Sequence, residues 1–344
     1  MVLTGGKKEM NIKTMLATAT AAAIFVAGAA QAQYKMNIGM VTINDPQHAL
    51  AKEYKRLIEK RSGGKIKMKV FPAGQLGNIP SQLGNLKIGA QAAFLSPPGF
   101  LSGMNIAFQA PDAPGNYKSY WHAHNAFTTP KFRTPYLKLA EKHGILGISI
   151  YNYGPTSIAS RKPIRKLSDL KGLKVRVLAT KMESKLAKTL GMTGVPMPYL
   201  EVLPALQRKT IDGCRSSIVV MGATKFFTTT KSITLIESGM IPSAIFVSKR
   251  WMKKLPKNLQ DLVVKTGRDT ETFAAKFAAN ANKKAEALWK KNGAEVIRLS
   301  AADQAEINKR LAPLGDEFLG ANPKTSKMYG ILKDVLKTAS TKAP

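Results

Sequence analysis

The sequence predicts an α/β protein of two lobes with a cleft between them. Three observations carry this. Beyond a 32-residue leader the chain runs for 344 − 32 = 312 residues, more than a single core usually holds. Short apolar strands alternate with amphipathic helices, a pattern that builds mostly parallel sheets with helices on their faces. That alternation then starts afresh at "ILGISIYNY", giving a second unit of similar size.

The leader itself reads as an export signal. Lys7, Lys8 and Lys13 precede the apolar run "MLATATAAAIFVAGAA", which ends on small residues at "AQA", so cleavage is expected after Ala32. Met1 and Met10 are both possible starts. The run is shorter than the roughly 20 residues a membrane-spanning helix needs.

The first unit is β-α-β-α-β. "YKMNIGMVT" alternates as a strand. "DPQHALAKEYKRLIEKRSGG" follows as a helix, with Asp45 as cap, Pro46 in its first turn and Gly63-Gly64 ending it. "KIKMKVFPAG" is a strand, "NIPSQLGNLKIGA" a short helix, and "AAFLSPPG" a strand stopped by two prolines. In the second unit "ILGISIYNY" and "KVRVLA" are strands, "KMESKLAKTLG" a helix, "GVPMPY" extended, "LEVLPALQRKT" a helix and "IDGCRSSIVVM" a strand. A strand at "AIFVS" leads to a long helical region, Leu259–Gly293, and then to a strand and a helix capped by Ser300. The chain therefore visits both lobes more than once. Ligands in open α/β sheets sit where strand ends face such a cleft.

Lys and Arg exceed Asp and Glu by 53 − 21 = 32. The leader holds three Lys and one Glu, so the remainder keeps +30. A polyanion is one partner such charge would suit, and a basic envelope protein binding an anionic polymer is the reading of a different class. The basic residues are spread out, however, without a long block or an aromatic–basic nucleic-acid motif, so no nucleic acid is expected as a partner.

No enzymatic pattern assembles. There is no G-x-S-x-G, no G-x-G-x-x-G after a strand and no H-E-x-x-H. His122 and His124 lie two apart on a helix and do not share a face. Cys214, the one cysteine, excludes an internal disulfide and makes no zinc cluster alone. Nothing in the sequence assembles into a nucleophile, base and orienter.

Arg176 is the residue that asks for an explanation. It interrupts the apolar strand around Val175 and Val177, and a guanidinium is costly to bury without a charged or strongly polar partner. Residue chemistry leaves two readings open. It snorkels out or pairs with an acid such as Asp169 or Glu201, or it points into the cleft and takes a ligand carboxylate with its planar fork.

Several ordered blocks resemble the extracytoplasmic solute-binding proteins of TRAP transporters, the DctP-like family. They are "KRSGGKIKMKVFPAGQLGN", "RKPIRKLSDLKGLKVRV", "GMTGVPMPYLEVLPALQRKTIDG" and "VSKRWMKKLPKNLQDLV". The resemblance implies a two-lobed periplasmic-binding-protein fold with hinge strands and a long bracing helix. It implies that a small organic acid is held in the interlobe cleft and delivered to membrane permease subunits, without chemistry and without a cofactor. On this basis residues 33–153 and 242–280 are expected in lobe I, 154–241 and 281–331 in lobe II, and 332–344 as a C-terminal tail. Arg176 falls on the family's signature arginine, which salt-bridges the ligand carboxylate.

The chain departs from the family at two places. Many relatives carry a second arginine where Thr156 stands here. After the Asp-Gly turn, where relatives often have Glu then Asn, this chain has Arg215 and Ser216. Either Arg215 partly replaces the missing arginine from another strand, or it points away and pairs with a surface acid. With one assured arginine the expected ligand is a monocarboxylate with an apolar or aromatic body, and with two it is a dicarboxylate. Tyr153, Tyr199, Phe94 and Met197 are the remaining candidates for the pocket wall.

Overall fold

The computed structural model describes residues 1–2 and 34–344. The leader's expected cleavage site at Ala32 lies outside them. The chain begins with β1 (Tyr34–Gly39), whose alternate residues Met36 and Ile38 are buried. Helix α1 (Pro46–Arg61) starts where the Asp45 carboxylate accepts the His48 N–H and Pro46 occupies the first turn. It ends where Gly63 and Gly64 take positive φ, a conformation a Cβ would oppose. Strands β2 (Ile66–Phe71) and β3 (Ala93–Ser96), joined by α2 (Ile79–Ile88), both lie parallel to β1.

Two short 3₁₀ turns, Pro98–Leu101 and Ile106–Asp112, lead into α3 (Tyr120–Thr128) and α4 (Pro130–Leu137). Then the eleven-residue strand β4 (Ile145–Pro155) runs to the edge of this sheet. One residue later β5 (Ser157–Ser160) belongs to a second sheet. The change of sheet falls at Thr156, and β4 keeps residues 154 and 155 in the first lobe's sheet.

The second lobe comprises β6 (Lys174–Val177), α5 (Lys181–Thr189), β7 (Thr193–Pro196), α6 (Tyr199–Gln207), β8 (Gly213–Ser216), α7 (Ile218–Ala223) and β9 (Ser232–Leu235). Residues 236–239 return the chain to the first sheet as β10 (Met240–Ser248). There β10 pairs antiparallel with both β3 and β4. The Thr156 N–H donates to the Gly239 carbonyl at 3.0 Å, so the two crossings brace each other.

After the single turn α8 (Lys249–Met252) come α9 (Lys257–Asp269) and α10 (Glu271–Lys291). The predicted long helical region is thus two helices. They break at Thr270, whose hydroxyl turns back to the Gly267 carbonyl at 2.7 Å. Helix α10 packs on β4 and α1 in the first lobe and on α7 and β11 (Glu295–Arg298) in the second. It is the brace between lobes. Helix α11 (Ala301–Leu311) follows, with Ser300 as its cap. Helix α12 (Ser326–Thr338) then returns to α3 and α4, burying Leu332, Val335 and Leu336. Residues 332–338 are therefore core-forming helix rather than tail, because their apolar face has a partner.

The sheet orders are β2-β1-β3-β10-β4 and β11-β9-β5-β8-β6-β7. A second difference from expectation lies at "IDGCRSSIVVM". The strand stops at Ser216, and Ser217 caps a helix by accepting the Val219 N–H at 3.2 Å. Burial of that helix against α10, where the Trp289 indole donates to the Ile218 carbonyl, overrides the strand preference of Ile218, Val219 and Val220.

Candidate functional site

Between the lobes lies a narrow cavity of about 60 Å³ within a wider recess of about 710 Å³ that includes open solvent. The first lobe contributes the loop after β1 (Val41, Thr42, Asp45), Gln47 in the first turn of α1, Pro97, Phe100 and Asp112. The second contributes Arg176, Leu178, Glu183, Tyr199, Arg215, Ser216 and Val220. Tyr153, Thr156 and Met240–Pro242 come from the crossing strands. The lobes touch directly beside it, where the Gln109 side-chain oxygen accepts the Met182 N–H at 2.9 Å.

Arg176 sits in β6, flanked by β7 and β8. Val175 and Val177 point into the second lobe's own core, and the period of two sends Arg176 to the opposite face. Its side chain is 2 % exposed. Nε donates to the Met197 carbonyl at 3.0 Å, and Nη1 lies 3.5 Å from the Arg215 carbonyl. Its guanidinium carbon stands 5.5 Å from the centre of the Tyr199 ring. Nη2 is buried with no partner at all. Neither Asp169 nor Glu201 reaches it: Asp169 accepts the backbone N–H groups of Arg165 and Lys166 instead. Two anchored nitrogens and one vacant one fix the fork while leaving it a donor to spare.

Arg215, on β8, is also buried but differently satisfied. Nη1 bonds both carboxylate oxygens of Glu183, and Nη2 donates to the Thr156 hydroxyl at 3.0 Å and the Ser238 hydroxyl at 3.2 Å. The guanidinium therefore does reach the Thr156 position from another strand. Its acid partner is buried and lines the cavity rather than lying on the surface. Glu183 is placed by α5, where the Thr180 hydroxyl accepts its N–H in the first turn. The helix N-terminus there favours a carboxylate.

Of the eight residues expected at the site, Arg176, Arg215, Ser216, Tyr153, Thr156 and Tyr199 line the cavity. Phe94 does not. It lies on β3 among core side chains, fully buried and paired across to Phe246. Met197 contributes through its backbone carbonyl, and its side chain packs on the core. The Tyr153 hydroxyl donates to Asp45 at 2.9 Å, and burial raises the Asp45 carboxyl above its ordinary range. Cys214 lies opposite Arg176 in the sheet, fully buried, with burial pushing its thiol up to about 11.

Sequence reasoning missed Asp45, Asp112 and Glu183 as cavity residues. For Glu183 a signal existed. It shares the buried face of α5 with Met182, Leu186 and Ala187, and an acid on an apolar face calls for a partner. Asp112, in "QAPDAPG", carries no such pattern. Among the described residues no cluster of His, Cys, Asp and Glu could hold a metal ion.

Residues 39–321 match the sequence pattern described as bacterial extracellular solute-binding protein, family 7 (DctP). The chain belongs to this family. Family 7 consists of substrate-binding transport proteins, not enzymes. This family 7 protein is 27 % identical over 283 residues to the 2,3-diketo-L-gulonate-binding periplasmic protein of Escherichia coli, covering 80 % of this chain and 86 % of that one. It is 25 % identical over 281 residues to the C4-dicarboxylate-binding periplasmic protein of Rhodobacter capsulatus, covering 81 % and 84 %. Among solved structures, a TRAP periplasmic solute-binding protein from Bradyrhizobium in complex with galacturonate superposes with a TM-score of 0.82 at 26 % identity. That match covers 88 % of this chain and the whole of the other. The two-lobed α/β architecture is thus the fold of TRAP solute-binding proteins, and the family 7 role is binding of organic acids for transport. No helix among the described residues is long and apolar enough to cross a membrane.

Proposed function

We propose that this chain captures an organic acid in the interlobe cleft by a salt bridge between the ligand carboxylate and Arg176, and delivers it in the periplasm to the permease subunits of a TRAP transporter. The observation that carries this reading is the buried, unpartnered Nη2 of Arg176 in the cavity wall. A group in that state costs stability unless a partner arrives, and a carboxylate is the partner that a guanidinium fork matches. The anchored β6 position also limits the side-chain entropy lost on binding. Contacts from both lobes exist together only when the lobes are closed, so a ligand spanning them favours closure, the state a permease would recognise.

The test uses ligand-stripped, refolded protein and a panel of aliphatic, hydroxy, sugar and aromatic acids, read by thermal shift and then by calorimetry. A ligand at about 100 times its dissociation constant stabilises by roughly 2.7 kcal/mol. Arg176→Met should lose at least about a hundredfold in affinity, the scale of removing one partner of a buried charge pair. Arg176→Lys should remain weak, because an ammonium cannot supply the fork. An Arg176→Met protein that binds the same acid as tightly as the parent refutes the assignment.

A further inference from the structure

One wall of the cleft is acidic. Asp112 ends the Ile106–Asp112 turn of the first lobe, and Glu183, Arg215 and Thr180 of the second lobe are its polar neighbours. Arg215 does not balance this acid. Both its terminal nitrogens are taken, Nη1 by the two oxygens of Glu183 and Nη2 by Thr156 and Ser238. It has no fork left for a second ligand carboxylate.

Asp112 is 8 % exposed, lines the cavity, and its Oδ2 is buried without a partner. Gly99 packs closely against this acid: a Cβ there would lie 3.1 Å from that oxygen and 2.6 Å from Leu178 Cδ2. Burial first, and the charge of Glu183 second, hold the Asp112 carboxyl well above the ordinary carboxylate range, against the opposing pull of Arg215 and the Thr180 hydroxyl. A further acid, Asp45, lines the same cavity. A second ligand carboxylate on this side would meet Asp112, Glu183 and Asp45 with Arg215 already engaged by Glu183, and bringing a further anion beside buried acids is costly.

We infer that Asp112 is the receptor for a hydrogen-bond donor on the ligand, so that the solute is a monocarboxylic acid bearing a hydroxyl or an ammonium at the end away from its carboxylate, and not a dicarboxylate. This rests on the assignment of the carboxylate to Arg176. A donor is what an orphaned buried acceptor lacks, whether hydroxyl or ammonium supplies it.

The experiment measures binding of paired acids to the ligand-stripped full chain by calorimetry: 4-hydroxybutyrate against succinate, gluconate against glucarate, and 4-(hydroxymethyl)benzoate against terephthalate, with 4-aminobutyrate as the ammonium probe. In every pair that binds, the donor-bearing monoacid should be favoured by at least about tenfold. Asp112→Asn separates the two donor sources. Its side-chain oxygen still accepts from a hydroxyl, so a hydroxy acid should hold within about threefold, whereas an ammonium ligand should lose at least about tenfold with the charge. Asp112→Leu should weaken either kind and erase the preference within pairs. A dicarboxylate bound more tightly than its monoacid partner overturns the inference while leaving Arg176 in place. So does an Asp112→Leu protein that keeps the preference. Silence of the whole panel removes the carboxylate assignment to Arg176, and this inference with it.

Discussion

Replacing Glu183 by Ala should cost the protein about 3 kcal/mol of unfolding free energy, the lower end of the range for orphaning one member of a buried ion pair. The side chains of Arg215 and Glu183 are 4 % and 7 % exposed, so solvent screens them little. Alanine would leave the Arg215 guanidinium buried without a counter-charge. The loss should not reach the upper end near 5 kcal/mol, because Thr156 and Ser238 would still accept from Nη2. A loss of 3 kcal/mol is a change of roughly 150-fold in the folding equilibrium. Urea unfolding followed by tryptophan fluorescence measures it, with Trp121 and Trp251 reporting from the first lobe and Trp289 from the bracing helix α10. The double variant Glu183→Met with Arg215→Met provides the control. Removing both charges together should restore most of the loss, since an apolar pair of similar volume is often neutral or better. A single variant within about 1 kcal/mol of the parent would refute the reasoning, and so would a double variant as unstable as the two singles added.

Three further outcomes follow from the same structure. Burial pushes the Glu271 carboxyl up to about 7 despite Arg133, and pushes the unpartnered His124 down to about 4. Glu271 therefore costs stability that grows as pH rises from about 4.5 to 7, whereas His124 costs stability that grows as pH falls from about 6.5 to 4, each on the order of 2–3 kcal/mol. Relative to the parent, Glu271→Gln should make the protein more acid-labile across pH 4.5–6.5 and His124→Gln less so, in urea midpoints measured against pH; a pair of variants shifted in the same direction would contradict the signs. Gly99→Val should obstruct closure, because even a Cβ meets Leu178 at 2.6 Å; about tenfold weaker binding and a larger radius of gyration by X-ray scattering are expected, and parental values for both would count against closure at Gly99. Cys214 should resist iodoacetamide until the protein unfolds, since its thiol is buried and held near 11; rapid labelling of the native protein would disprove this.

The sequence by itself determined the α/β class, the two units, most strand and helix positions, and it singled out Arg176, which lies in the cavity wall. These are local matters. Period-two and period-3.6 patterns, a capping Asp45 and a Gly63-Gly64 stop act within a few residues of themselves. Arg176 was legible because a charge in an apolar strand conflicts with its own neighbours. Tertiary structure decided the rest. The helix over Ile218–Ala223 exists because α10 offers it a partner, and residues 332–338 fold as helix because α3 and α4 lie under them. Phe94 belongs to the core because β3 lies between β1 and β10, where both faces are covered. The pairing of Arg215 with Glu183 joins residues 32 apart, and the orphaned Asp112 faces them from the other lobe. No local pattern encodes such meetings. Electrostatics in a closed cleft depends on which charges the fold brings within a few ångströms and how much water it removes, and both are set only once the lobes have come together.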